Sequence, residues 1–294
     1  MNANPYLIQG PALISFSGGR TSGFMLKHIL DAHGGTLPAD VHVAFANTGD
    51  EREETLEFVR DCSAHWGVPI TWVEFDPYVE DSTRVVTFED ASRSGEPLDA
   101  AIATRPTAHL YNVVSRYCTA TTKLRRLQKL MLKGHGYERW TSVLGLRHDE
   151  PKRVASNRAR SGRDRQTIAL PLDDAGVTNP DVLTWWVEQP FQLRLPVING
   201  ETLHGNCESC CLKHWTKLVR IFREDPSKAD RMISREDRMR LRLHNQPYTG
   251  TGQDRRASFF KDGKSYRDLV AYALSDKPIP KIRGAGSVDC ACTD

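Results

Sequence analysis

Apolar positions fall in short continuous runs along the first 75 residues, and the runs alternate with segments of helical spacing. Residues 12–17 (ALISFS), 41–47 (VHVAFAN) and 70–75 (ITWVEF) read as buried strands. A run of that length, bounded by polar residues, suits a strand covered on both faces. Residues 21–33 place Phe24, Met25, Ile29 and Leu30 on one side of a helix, and residues 51–66 do the same with Leu56, Val59 and Trp66. The alternation predicts parallel βαβ units with right-handed crossovers. Residues 76–106 break the rhythm and read as an insertion or lid. A helix is expected over 109–133, with leucines at 124, 127, 130 and 132, and further strands over 139–147 and 167–172. A helix over 179–189 is expected to take Asn179 as its N-cap and Pro180 in its first turn.

Two prolines and two glycines between 190 and 206 precede a group of cysteines. They set a boundary near 190, with one domain over 1–190 and a cysteine-bearing, mostly helical region over 191–294 packed on it. Helices are expected there around 213–224 and 264–275. The expected class is α/β, a doubly wound and mainly parallel sheet with that helical extension.

Composition narrows the picture only a little. The chain has 294 residues, 39% hydrophobic and 26% charged, with a net charge of +3. It is long enough to bury a core without disulfides. No apolar stretch approaches the ~18–20 residues that cross a bilayer, so no membrane partner is expected. No basic segment precedes the first apolar run, so a cytoplasmic location is expected. Residues 152–165 (KRVASNRARSGRDR) concentrate basic side chains against one acid. They read either as a solvated loop or as an anion-gathering lid or nucleic-acid contact. Seven cysteines in such a chain argue for metal or redox chemistry rather than a disulfide framework.

The stretch Ser17-Gly18-Gly19-Arg20-Thr21-Ser22 closes the first strand and opens the first helix. Glycines there let backbone N–H groups approach an anion, and the helix adds its positive end. Ser17, Thr21 and Ser22 add hydroxyls, and Arg20 a charge. The spacing is neither Walker A nor GxGxxG. Arg147 and Arg153 follow a predicted strand at the same edge, where a guanidinium fork pairs with sulfate or phosphate oxygens. Lys123 is expected either to approach the reacting group or to face solvent.

SFSGGRTS resembles the PP-loop, SGGxxS, of the adenine-nucleotide α-hydrolase superfamily. FANTGDEREETLEFV (45–59) resembles the NTG-x-E-x-x-E-T stretch of that superfamily's reductase-like branch. RYCTATTKLRRL (116–127), GLRHDEPKR (145–153) and EQPFQLRLP…GNCESCCLK (188–213) resemble later segments in the same order. The chain is thus similar to phosphoadenosine phosphosulfate reductase-like proteins of the kind often encoded by phages and mobile elements. The resemblance implies a Rossmann-like nucleotide-binding fold over 1–190. It implies that ATP or an adenosine phosphosulfate is held by Ser17 to Ser22, by Asn47, Thr48, Gly49 and Asp50, and by Arg147 and Arg153. Many PP-loops carry an aspartate where this chain has Thr21. Asp50 or Glu51 is the expected substitute as a Mg²⁺ carboxylate, with plain helix N-terminal acids as the alternative.

Cys207 and Cys210 have the spacing of a metal-binding turn, and the resemblance adds Cys118. Three thiolates suit a [4Fe–4S] cluster, with zinc as the alternative. Cys290 and Cys292 read either as further ligands or, for Cys290, as a nucleophile whose sulfur adduct a thioredoxin-like reductant releases. Cys211 and Cys62 read as buried hydrophobes. The expected function is a reductase-like or sulfur-transfer enzyme with Cys290, Arg147 and Lys123 in catalytic roles. Two alternatives stand beside it: an ATP-dependent sulfurtransferase acting on nucleic acid, and a non-catalytic zinc-stapled binding protein.

Overall fold

The computed structural model describes residues 4–163, 165–198, 200–250 and 254–280, with the backbone alone of Glu201. Strands β1 (Ala12–Phe16), β2 (Val41–Ala46), β3 (Ile70–Phe75), β4 (Thr83–Val86), β5 (Trp140–Val143) and β6 (Gln166–Ala169) form one sheet. Their order is β4-β3-β2-β1-β5-β6. The pairs β1–β2, β1–β5, β2–β3 and β5–β6 are parallel, and β4 runs antiparallel on the β3 edge. Helices α1 (Arg20–Ala32) and α2 (Glu53–Trp66) make the first two crossovers. Alternate residues of each strand serve opposite faces. Ile14, Phe16, Val43, Phe45 and Val143 pack with Met25 of α1, Phe58 of α2 and Trp186 of α7 (Asn179–Val187). Leu13, Ala44, Ala46 and Trp140 pack on the other face against Leu130 and Met131. This is the doubly wound, mostly parallel α/β architecture that the alternating pattern predicts.

Close packing explains one glycine of α1. A Cβ on Gly23 would lie 2.6 Å from Trp186 Cζ2, so α1 and α7 approach only because none is there. The Trp186 indole donates to the Arg20 carbonyl at 2.7 Å, which fixes the first turn of α1 against α7.

The structure redraws several predicted elements. Residues 76–106 carry β4 and helix α3 (Glu96–Ala103) rather than only an irregular insertion. The helix expected from 109 starts at Tyr117. Asn112 Oδ1 accepts the N–H groups of Val114 and Ser115, each at 2.9 Å, and this local turn replaces helical bonds. From there π-helical Thr119–Leu124, α4 (Arg125–Lys129) and π-helical Leu130–Gly134 follow without a break. β6 ends at Ala169 because Pro171 opens α6 (Pro171–Asp174). The cap of α7 is Thr178, in a capping box with Asp181, rather than Asn179. Helix α5 (Pro151–Arg158) lies over Leu146 and Leu170 through Val154.

The C-terminal region is helical, as predicted. After a short hairpin of β7 (Val197–Ile198) and β8 (Glu201–Thr202) come α8 (Trp215–Glu224), α9 (Asp230–Leu243) and α10 (Tyr266–Ala273). Their apolar faces enclose a second cluster with Leu98, Leu110, Tyr111 and Tyr117. Glu236 of α9 is fully buried there and accepts the N–H of Tyr266 at 3.2 Å. Burial pushes its carboxyl up to about 7, against the opposing pull of that N–H group and of Arg240. No helix among the described residues is long and apolar enough to cross a membrane.

Candidate functional site

The strand order reverses at β1, since the chain passes from β1 to β2 on one side and later returns to β5 on the other. In open α/β sheets the crevice outside the strand ends at this switch point is where ligands sit. The loop after β1 and the loop after β5 face each other there.

The first of these, Ser17 to Ser22, is shaped by Ser22. Its Oγ accepts from the Ser17 N–H at 3.2 Å and the Ser17 hydroxyl at 3.0 Å, and it donates to the Gly19 carbonyl at 2.9 Å. Gly18 has φ +79°, and a Cβ there would meet Thr55 Cγ2 at 2.7 Å. Only glycine lets the chain make this turn so close to α2. Gly19 caps α1 without a side-chain hydrogen bond, and the first turn of α1 contains no acid. The positive end of α1 thus meets no acid from its own first turn. Thr21 is buried and accepts from Arg147 Nη1 at 3.1 Å, so the β5 loop reaches the β1 loop directly. Arg147 is itself aimed by Asp149, through its Nε at 2.9 Å, and by Glu150, which accepts the Arg147 backbone N–H at 3.0 Å. Glu150 also pairs with Arg153. Arg20 goes elsewhere: its guanidinium donates to the carbonyls of Leu193 and Leu195 at 2.6 and 2.8 Å and to the Thr202 hydroxyl at 3.0 Å. It ties the start of α1 to the segment leading into the C-terminal region.

The loop after β2 is built differently. Asn47 donates to Glu74 at 2.6 Å and to the Ser92 carbonyl at 2.8 Å, and its Oδ1 accepts the Gly49 N–H at 3.2 Å. Thr48 gives its N–H and hydroxyl to Glu51 Oε2 at 2.9 and 2.7 Å. Glu51 Oε1 takes Lys123 Nζ at 3.2 Å, within the π-helical turn. Asp50 is held by Arg231 at 2.6 Å and by the fully buried Arg235, which also binds Asp99 at 2.6 Å. Asp50 is thus committed to α9, and Glu51 to Thr48 and Lys123.

The cysteines correct the expectation of a metal centre. Among the described residues, no group of three or more His, Cys, Asp or Glu is placed to hold a metal ion. This overturns the [4Fe–4S] cluster and its zinc alternative; the Mg²⁺ site falls because Asp50 is taken by Arg231 and Arg235, and Glu51 by Thr48 and Lys123. Cys207 Sγ lies 3.3 Å from the Thr48 hydroxyl and 3.8 Å from Glu51 Oε1. Cys118 and Cys210 instead pack against the second apolar cluster, and Cys211 is buried in it. Cys290 and Cys292 lie outside the described residues. Cys62 is fully buried beside Val59, and burial pushes its thiol well above the ordinary range. His204 is buried between Glu208 and Glu224, at 2.9 and 3.0 Å. Burial alone would raise the Glu208 carboxyl, but His204, Arg52 and Lys228 together bring it down to about 2.

A cleft of about 160 Å³ runs from Ser17 along the sheet face. Leu13, Leu127, Trp140 and Ile168 supply apolar wall, and Lys123, Arg153, Arg160 and Arg163 supply cations. The basic stretch at 152–165 thus contributes arginines to a cavity wall. Sequence reasoning missed three groups here. Glu74, 2% exposed, organises the β2 loop, and an acid inside the apolar run ITWVEF was its signal. Arg235 sits in a stretch so charged that nothing marked it as buried. Gln166, on the cleft wall, accepts the Ser142 hydroxyl at 2.6 Å, and its place at the start of a strand gave no cue.

No protein-family model matches the chain. It is 29% identical over 215 residues to the uncharacterized nin region protein ORF290 of Escherichia phage lambda, across 70% of this chain and 67% of that protein.

Proposed function

We propose that this chain is a PP-loop enzyme that binds an adenine nucleotide, with phosphate or sulfate at the Ser17–Ser22 loop and the base in the adjoining cleft. The observation that carries this reading is the uncapped start of α1 behind Gly18 and Gly19, at the sheet's switch point and facing Arg147. Arg147 and Arg153 then recognise the oxyanion. Asn47, Thr48, Gly49 and Asp50 act mainly by holding the neighbouring wall and the C-terminal helices. Lys123 sits at the cleft with its ammonium on Glu51. The similarity of the ordered motifs to sulfonucleotide reductases supports a thiol reaction. In it the Cys290 thiolate attacks the sulfur of an adenosine phosphosulfate, the S–O bond breaks, and the nucleotide leaves with the electron pair on its phosphate oxygen. A thioredoxin-like dithiol then reduces the resulting thiosulfonate. The division near residue 190 belongs to the same proposal, with the nucleotide on the N-terminal part and the nucleophile on the C-terminal part.

The arginines of 153–163 on the cleft wall favour a second reading, ATP-dependent sulfur transfer to nucleic acid. Titrating the full chain with adenosine 5′-phosphosulfate and ATP, with and without RNA, tests both. The first reading expects the phosphosulfate to bind and to be cleaved with added dithiol. The second expects pyrophosphate or phosphate release from ATP only when RNA is present. Absence of nucleotide binding overturns both.

A further inference from the structure

The turn that carries Cys207 and Cys210 has chemistry that the reading above leaves unused. The Cys210 N–H donates to the Cys207 carbonyl at 3.2 Å. A turn closed between residues three apart holds its end Cα atoms within about 7 Å, and a disulfide bridges Cα atoms about 4.4–6.8 Å apart. Both residues are present as half-buried thiols. The turn is also held firmly. Lys213 Nζ donates to the carbonyls of Leu203, Gly205 and Glu208 at 3.0, 2.9 and 2.9 Å, and the Tyr266 hydroxyl donates to that of Ser209 at 2.6 Å. The Glu208 N–H donates to the Asp50 carbonyl at 3.0 Å, and Cys207 forms a backbone bridge with Glu51, which sets the turn against the β2 loop.

The two sulfurs have different surroundings. Cys207 Sγ lies 3.8 Å from Glu51 Oε1, and Lys123 Nζ meets the same oxygen at 3.2 Å. A carboxylate in reach of the thiol proton, with a cation beside it to favour the thiolate, is the setting of an attacking thiol. Lys123 also lines the cleft that adjoins Ser17, which connects this thiol to the proposed nucleotide site. Cys210 packs against the second apolar cluster, and its sulfur receives the Leu212 N–H at 3.5 Å. That sheltered place suits a thiol that attacks only its neighbour.

We infer that Cys207 and Cys210 form a dithiol–disulfide couple that reduces a thiosulfonate within this chain, with Cys207 attacking and Cys210 resolving. This rests on the reading above for the source of the thiosulfonate, and it moves the first reducing step from an outside dithiol to this turn. The Cys207 thiol gives its proton to Glu51, and the thiolate attacks the thiol-derived sulfur of R–S–SO₃⁻. The bond to the sulfonate breaks, and sulfite leaves with the electron pair. Cys210, as its thiolate, then attacks the Cys207 sulfur of the mixed disulfide, and R–S⁻ leaves and takes up the proton. The dithiol has lost two electrons and two protons, and the products are Cys207–Cys210 disulfide, R–SH and hydrogen sulfite. A thioredoxin-like dithiol restores the couple by exchange.

The test treats the reduced full chain with S-sulfocysteine, a small thiosulfonate that needs no nucleotide site, and locates the products by peptide mass spectrometry. The wild type is expected to form the Cys207–Cys210 disulfide. Cys210→Ser should stop halfway, with a cysteine adduct trapped on Cys207. Lys123→Met should slow the disulfide several-fold, because the cation that favours the thiolate is gone. The thiol of Cys62, fully buried in the core, should stay unmodified in every variant and so report an intact fold. A wild-type chain that keeps both residues as thiols, or a folded Cys210→Ser chain with no adduct on Cys207, overturns the inference. A chain that forms the disulfide and yet binds no adenosine phosphosulfate overturns the nucleotide reading and leaves the dithiol couple standing.

Discussion

Two loops leave neighbouring strands at the same sheet edge, and they have been put to opposite uses. The loop after β1 closes on its own serines and leaves the start of α1 without a side-chain cap. The loop after β2 is filled by the protein itself: Glu74 takes Asn47, Glu51 takes Thr48 and Lys123, and two arginines of α9 take Asp50. On the proposed reading, one edge position is left for an anion. The other has become the joint through which the helical C-terminal region grips the sheet. The lesson is that a motif resembling a nucleotide-binding segment can be spent on holding the site together.

If that contrast is right, damage to the second loop harms the fold and damage to the first harms binding. The largest effect should come from Arg235→Ala. It removes the fully buried guanidinium that joins Asp50 to Asp99 and leaves Asp50 with Arg231 alone, which costs about 3 kcal/mol of unfolding free energy by urea denaturation. Below the transition, the remaining folded protein should still bind nucleotide. Gly18→Ala comes next. A Cβ at φ +79° against Thr55 strains the turn by about 1–3 kcal/mol. Isothermal titration should show nucleotide affinity reduced by about tenfold or more, since the backbone N–H groups can no longer converge.

Glu236, next to Arg235 on α9, sharpens the contrast through pH. Its folded pKa of about 7 exceeds its ordinary 4.5, so between those values the folded state holds the proton more tightly than the unfolded state. Stability from this group is full below about pH 4.5, falls as pH rises to about 7, and is flat beyond. Glu236→Gln should remove that decline, so the variant gains on the wild type in melting temperature at pH 8 and not at pH 4.5. The smallest effect is expected from Arg147→Lys. It keeps a charge but loses the fork that reaches Asp149 and Thr21 together, and should weaken nucleotide binding a few-fold with no change in melting temperature.

The sheet was legible because buried parallel strands write themselves as short apolar runs, and 70–75 matches β3 end to end. The glycine loop was legible because Gly18 answers a steric need that a sequence shows directly. The helix expected from 109 failed because the Asn112 side chain makes a turn that periodicity does not register. The metal site failed for a related reason. Cysteine spacing states which thiols a turn can bring together, but not that Cys207 rests against Thr48 and Glu51 while Cys118 and Cys210 settle on apolar neighbours. Arg235 was hidden because burial of a charge depends on partners 136 and 185 residues away.

The central claim is that the β1 loop, and not the β2 loop, receives the nucleotide's phosphates. Backbone amide NMR of the isotope-labelled chain titrated with ATP tests it most directly. The largest shifts are expected at Gly18 to Ser22 and Arg147, with the amides of Asp50 to Glu54 and of α9 nearly still. Large shifts in the second set, with Gly18 to Ser22 unmoved, would contradict it.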